Sequence, residues 1–309
     1  VTREVEPVIV HSGAQPVGYH QLPAHLSNEG GGLVWWLPER AVCALDTWVH
    51  LLFANVVFGV FQEALWAERR SSRSRLFRMR ARWRAYLEEK PVLASSAYVK
   101  QGRNCSIHPS TVFHGPVTIG DNVTIGPGCV IAQSTIGNDV TLNGANYFHL
   151  SVVGDRCFFP VGAGATQSVF LEGASVGPGA AVEMTLVGRD SSVGGATAFT
   201  PYPVLDTPIE VTAGSVSVPV DMQMLGGCVG HNCRIGPGMV IMPGRAIESD
   251  VVLMPAPERR VIMQDIRYEE SDHHATPDAQ RHVRLYPRAY EQVPAPGYEE
   301  EDESLEPLW

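Results

Sequence analysis

Through the middle of the chain a large residue recurs at intervals of six, six and then five positions. Read from Ile119, five successive lines of seventeen residues share this spacing: IGDNVTIGPGCVIAQST, IGNDVTLNGANYFHLSV, VGDRCFFPVGAGATQSV, FLEGASVGPGAAVEMTL and VGRDSSVGGATAFTPYP. The recurring anchors are Ile119, Ile125, Ile131, then Ile136, Leu142, Phe148, then Val153, Phe159, Ala165, then Phe170, Val176, Val182, then Val187, Val193, Phe199. Ile107 and Phe113 precede them, and Val229, Ile235, Ile241 and Ile247 resume the series after a gap. Three short strands per turn account for the spacing. Each anchor points into a prism, and the small or polar residues between anchors form its corners. Adjacent coils pair through backbone hydrogen bonds about 4.8 Å apart. One coil cannot bury its anchors alone, so stacking supplies the core.

The gap has its own pattern. TPIEV, TAGS and VSVPV alternate on both sides of a glycine turn, which predicts a β-hairpin inserted within 204–223 and protruding between two coils. The repeats thus divide the chain into an irregular segment 1–37, a helical segment 38–90, a parallel β-helix 97–256 carrying the hairpin, and a polar, acidic extension 257–309. Within the helical segment, Pro38 is placed near a first turn, and Trp48 to Phe61 is apolar on most faces. That run is too short and too polar for a membrane span. A second helix puts Leu76, Met79, Trp83 and Leu87 on one face, amid eight arginines between Arg69 and Arg84. Two readings stay open: a helical pair covering the first coil, or a basic amphipathic element that docks to a membrane surface or a protein partner.

Composition narrows the function. Thirty Gly and 23 Pro suit a turn-rich fold, and a net charge of -10 argues against nucleic acid as a partner. The six cysteines, Cys43, Cys105, Cys129, Cys157, Cys228 and Cys233, are scattered mostly inside the repeats, as expected of small buried residues in a reducing compartment. The sequence begins at Val1, so its start is expected either to use a non-Met codon or to lie upstream. It shows no charged-then-apolar leader. A cytoplasmic location, with peripheral membrane attachment as the alternative, is the expectation.

Chemistry points to Cys228-Val229-Gly230-His231-Asn232-Cys233-Arg234-Ile235-Gly236. The repeat pattern resembles the left-handed β-helix of the hexapeptide-repeat transferase superfamily. This segment resembles the His-[Asp/Asn]-Cys-x-[Ile/Leu]-Gly stretch of its sugar and nucleotide-sugar acyltransferases. The resemblance implies an all-β, left-handed parallel β-helix, a homotrimer with sites between prisms, acyl-CoA (acetyl-CoA) as co-substrate, a small-molecule sugar acceptor and no metal. It also implies that His231 is the general base, a task suited to imidazole because its pKa lies near neutrality. Asn232 stands where the family has Asp or Asn. Stacking aligns Ala132, His149, Thr166, Glu183 and Thr200 in one column, so His149 and Glu183, about 10 Å apart, are candidate groove residues beside an exposed mixed column as the plainer reading. Gly238, Gly244 and Arg245 mark thin walls where the pantetheine arm of CoA is expected.

Two other resemblances are weaker. γ-Class carbonic anhydrases of the same superfamily place histidines where this chain has Pro127 and Ala132, which implies a non-catalytic relative of that class as the alternative function. Bifunctional relatives carry a nucleotidyltransferase domain, but Gly30-Gly31-Gly32 lacks the basic residue of its nucleotide loop. Trp48 to Asn55 does look like the linker helix of such fusions.

Overall fold

The computed structural model describes residues 45–61, 73–205, 207–213, 216–220, 222–275 and 282–288, isolated positions 63, 67 and 69, and the backbone of strands at 14–20 and 33–38. Cys43 and the tail beyond 288 lie outside the described residues.

Residues 99–262 wind into a left-handed parallel β-helix with three faces of eight strands each. The first face runs from Val99–Gln101 to Ala246–Ile247, the second from Ser106–Ile107 to Val252–Leu253, and the third from Val112–His114 to Val261–Ile262. Register follows the six-residue spacing. Ile119, Ile136, Val153, Phe170, Val187, Val229 and Ile247 stack in one column of the first face. Every anchor from Ile119 to Ile247 is buried, while Ile107 and Phe113 at the open first coil are half-buried.

Side-chain volume is matched around the prism axis. Phe148, Phe159 and Phe170, one from each face, meet edge to face at 4.9 and 5.0 Å between centroids. Ala165 completes that coil as the third anchor after Val153 and Phe159, and its small side chain leaves room for the rings. The corner between the first and second faces needs a left-handed residue in every coil. Asn104, Asn122, Asp139, Asp190, Asn232 and Asp250 supply it in six coils with φ between 53° and 65°, and Arg156 (59°) and Gly173 (71°) in the other two. Asn and Asp adopt this region more readily than other side chains because they hydrogen-bond locally.

The inserted hairpin pairs Ile209–Ala213 with Val216–Val220. It does not stand free of the prism. Ile209 and Val211 are buried in a second core with Leu150, Val169, Met184 and Leu186. Helix α1 (Trp48–Asn55) and the π-helical turn Val56–Phe61 after it fill the same core with Val49, Leu52, Val56, Val57 and Val60. The apolar run is therefore used up against the flank of the β-helix and the hairpin, away from the first coil. Among the described residues no helix is long and apolar enough to cross a membrane.

Three further readings are corrected. Pro38 closes a strand, Leu33–Pro38, paired antiparallel with Ala14–His20, instead of opening a helix, and α1 starts at Trp48 after Thr47. The β-helix continues past 256 through Val261–Ile262, and Ile266 bridges to Ile247, a final coil whose spacing the Pro255–Pro257 stretch hides. Helix α2 (Arg75–Leu87) packs on the short turns Val92–Ala94 and Ser96–Tyr98 that lead into the first coil, with Phe77 edge-on to Tyr98 at 5.4 Å. It turns Leu76, Met79, Trp83 and Leu87 outward, so among the described residues this face covers none of the β-helix.

Candidate functional site at the His231 corner

His231 lies in the turn between Cys228–Val229 and Arg234–Ile235, on the outside of the corner joining the first two faces. Gly230 before it admits no side chain, because a Cβ there would sit 2.4 Å from Ser249 N. Asn232 after it takes the left-handed corner conformation, φ 53°. The ring is half-buried and outside the prism.

The geometry repeats along the corner. In successive coils a side chain accepts the backbone N–H of the residue one coil earlier: Arg103 N–H to Asp121 Oδ1 (2.7 Å), Asp121 N–H to Asn138 Oδ1 (2.8 Å), and Asn138 N–H to Asp155 Oδ1 (2.7 Å). His231 takes the same place: Arg189 N–H donates to its Nδ1 at 2.9 Å, and His231 N–H donates to Ser249 Oγ at 2.9 Å. A neutral imidazole has one lone pair, so accepting at Nδ1 puts the proton on Nε2. The neighbouring column behaves alike. Asn104 donates to Asn122, Asn122 to Asp139, and Asn232 Nδ2 to Asp250 Oδ1 at 2.8 Å. Both polar members of the motif thus satisfy backbone or side-chain groups of adjacent coils.

A strap from the extension closes the corner. Buried Asp250 accepts Leu285 N–H at Oδ1 (2.9 Å) and Tyr286 N–H at Oδ2 (2.7 Å), while Asn232 Nδ2 donates to Val283 O (3.0 Å). Tyr286 lies on the His231 ring, 4.7 Å between centroids. Arg288 pins the end of the strap to Glu248 and Glu269, and the Arg284 guanidinium covers the Tyr268 ring at 3.9 Å.

Burial lowers the His231 pKa below the ordinary histidine value, and the Arg189 charge adds to this against Asp250 and Asp190. The ring is therefore neutral at pH 7. Burial pushes the Cys233 thiol up to about 12, so it is no nucleophile. Its Sγ donates to Glu248 O at 3.0 Å inside the corner. Cys129, Cys157 and Cys228 are likewise buried free thiols, and Cys105 is half-buried and free.

The remaining candidates do not converge on His231 within one chain. His149 and Glu183 stand in register through Thr166 at the far edge of the third face. Gly238, φ 68°, turns the corner between the second and third faces with open space around it. Gly244 lies at the corner between the third and first faces, where a Cβ would meet Glu210 O of the hairpin at 2.5 Å. Arg245 donates to Glu210 O (2.6 Å) and pairs with Asp265 (3.8 Å), tying hairpin to extension. Among the described residues no group of three or more His, Cys, Asp or Glu is arranged to hold a metal ion.

Sequence reasoning missed Asp250, Tyr286 and the corner acceptors. The acceptors were readable: two residues after the first-face anchors Ile119, Ile136, Val153 and Val229 stand Asp121, Asn138, Asp155 and His231, with Glu172 and Arg189 at the intervening positions of the column. Aligning that column marks His231 as occupying an acceptor position.

Comparison with known proteins agrees with the repeat. Residues 102–133 match the family model described as bacterial transferase hexapeptide (six repeats). The chain is 32% identical over 91 residues to the Bifunctional protein GlmU of Pseudoalteromonas atlantica, 29% of this chain and 20% of that protein. It is 51% identical over 49 residues to the Bifunctional protein GlmU of Methylobacillus flagellatus, 16% of this chain and 10% of that protein. The chain thus spans a fifth or less of these relatives' length. Among solved structures, a histidine-substituted mutant of perosamine N-acetyltransferase from Caulobacter crescentus, in complex with CoA and GDP-perosamine, matches at 20% identity and TM-score 0.22, over 50% of this chain and 54% of that one. The polySia-specific acetyltransferase NeuO matches at 11% identity and TM-score 0.24, over 59% of this chain and 92% of that one. Scores this low carry no argument about mechanism.

Proposed function

This chain is a hexapeptide-repeat protein of the left-handed β-helix transferase superfamily, and on that premise we propose that it transfers an acyl group from a CoA thioester to an amine or hydroxyl of a sugar or nucleotide sugar. The observation that supports the reading is the position of His231: in the motif that resembles the family's histidine stretch, the ring stands on an outer corner, half-buried, with its pKa held below the ordinary histidine value by burial, and a neutral imidazole is suited to take up a proton. In the reaction the acceptor nitrogen or oxygen attacks the thioester carbonyl carbon. The C–S bond breaks, the acceptor proton passes to His231, and the CoA thiolate takes it up on leaving. A neighbouring prism in a homotrimer supplies the second wall of the cleft.

This chemistry sets two conditions. Tyr286 has to leave the ring, and His231 has to exchange its bond from Arg189 N–H for one that leaves a lone pair toward the acceptor. A second reading, a non-catalytic β-helix subunit, is favoured by that same bond, since His231 performs the corner task of Asp121, Asn138 and Asp155.

One variant separates the two. His231→Asn keeps a corner acceptor of the Asn138 type and removes the base. Thiol release from acetyl-CoA is measured with a panel of UDP- and GDP-amino sugars, on the 309-residue chain and on a chain ending at 281. Under the acyltransferase reading both His231→Asn and His231→Ala lose turnover by ~10²-fold or more while the fold is retained. Turnover by His231→Asn equal to wild type removes His231 as the base. Absence of turnover from both wild-type forms leaves the non-catalytic reading in its place.

A further inference from the structure

Helix α2 inverts the usual arrangement of an amphipathic helix. A surface helix ordinarily buries its large apolar residues and exposes its polar ones. Here the protein-facing side consists of Ala81 and Ala85, 0% and 6% exposed, with Phe77 half-buried beside them. Leu76, Met79, Trp83, Tyr86 and Leu87 are 77%, 58%, 63%, 78% and 71% exposed. At about 100° per residue these five fall within one arc of roughly 100°, diametrically opposite the two alanines. Small residues let the backbone lie close to the turns at Val92–Ala94 and Ser96–Tyr98, and the wide apolar stripe is held away from the protein.

Arginines line both margins of that stripe. The same helical geometry puts Arg75, Arg78 and Arg82 along one margin and Arg80 and Arg84 along the other, and all but Arg84 are exposed. Arg84 is anchored to Ser96 Oγ at 2.8 Å. The helix contains no acidic residue. Residues 69–84 hold eight of the 23 basic residues in a chain whose net charge is -10. The helix is thus a concentrated basic patch, able to attract a negative plane, in a chain that is acidic overall.

We infer that α2 seats the chain on an anionic phospholipid surface, with Leu76, Met79, Trp83 and Leu87 in the acyl–headgroup boundary and the flanking arginines on lipid phosphates. Charge complementarity selects this occupant. An aliphatic and aromatic stripe between two rows of arginines is the pattern of an interfacial helix, whose guanidinium groups reach the headgroups while their stems cover apolar surface. Trp and Tyr suit that depth because one edge of each ring is apolar and the other is polar. The helix lies flat, and its docked Ala81–Ala85 side leaves the prism standing above the bilayer.

The test uses the full chain and vesicles of neutral phosphatidylcholine alone or with about a third phosphatidylserine. Co-sedimentation is expected with the anionic vesicles and at least ~10-fold weaker with the neutral ones. It is expected to weaken as salt rises and the Debye length falls from about 10 Å at 0.1 M to 3 Å at 1 M. Because the residues are exposed, Leu76→Ser with Trp83→Ser, and separately Arg78→Gln with Arg82→Gln, are expected to keep the melting temperature and lose anionic binding by ~10-fold or more. No binding to either vesicle, equal binding to both, or unchanged binding by both double variants overturns the inference. Dissociation of an oligomer by the Leu76→Ser, Trp83→Ser pair, without vesicle binding by the wild type, assigns the stripe to a second copy of the chain instead.

Discussion

Asp250→Asn probes the strap at its most heavily used atom pair. The Asp250 carboxylate is buried and accepts from three donors: Asn232 Nδ2 and Leu285 N–H at Oδ1, and Tyr286 N–H at Oδ2. Asparagine keeps the shape and tolerates the corner φ of 65°, so the backbone is unstrained. Its amide can offer one acceptor oxygen. With that oxygen facing Asn232 and Leu285, the NH2 group meets the Tyr286 N–H, donor against donor. One hydrogen bond to a charged acceptor is lost, worth about 1.5–3 kcal/mol, and a value near 2 kcal/mol corresponds to a roughly 30-fold larger population of strap-open molecules. Amide hydrogen exchange of the segment 283–287 reads this directly, because local opening limits exchange there. Leu285 and Tyr286 are expected to exchange roughly 30-fold faster in Asp250→Asn, while Val193, in the ladder of the second face, is unchanged. Equal protection of Leu285 and Tyr286 in both proteins refutes the strap argument. Equal acceleration at Val193 shows global destabilisation and refutes its local character.

Three further outcomes follow from the structure. Phe159→Ala removes the middle ring of the Phe148–Phe159–Phe170 stack, with Ala165 too small to refill the space, and is expected to cost about 3–5 kcal/mol in denaturant unfolding; a loss under about 1 kcal/mol contradicts the packing described. His231, His273 and His282 all have pKa values lowered first by burial, then by Arg189, by neighbouring histidines and by Arg234 respectively, with Asp250 opposing in each case. The unfolded chain then takes up protons before the folded one, so this stability is present above the ordinary value of 6.5 and is lost as pH falls from there toward the lower native values; His273→Gln is expected to shrink the drop in melting temperature between pH 7.5 and 5.5, and an unchanged drop removes His273 from the effect. Sedimentation is expected to give a trimer at micromolar concentration, and a monomer counts against the intersubunit cleft of the acyltransferase reading.

The six-residue spacing determined the β-helix, its register and its buried column from Ile119 to Ile247, because a side chain that repeats with the coil has only one place to go. The break in that spacing, with alternation on either side of a glycine turn, placed the hairpin strands Ile209–Ala213 and Val216–Val220 within the gap. Local pattern could not say which apolar faces would be covered. Trp48 to Phe61 and Leu76 to Leu87 both read as amphipathic or apolar helices, yet the first is enclosed by Leu186, Ile209 and their neighbours and the second is left open. That difference depends on contacts between residues more than a hundred positions apart. The same holds for the site. The sequence singled out His231 and Asn232 by motif, and their type suggested proton transfer. Only the tertiary structure decided that the Nδ1 lone pair of His231 meets Arg189 N–H, that Asn232 turns to Asp250, and that Tyr286 from the far end of the chain lies on the ring. A single imidazole lone pair serves one partner at a time, and which partner it meets is set by how the coils and the strap pack together.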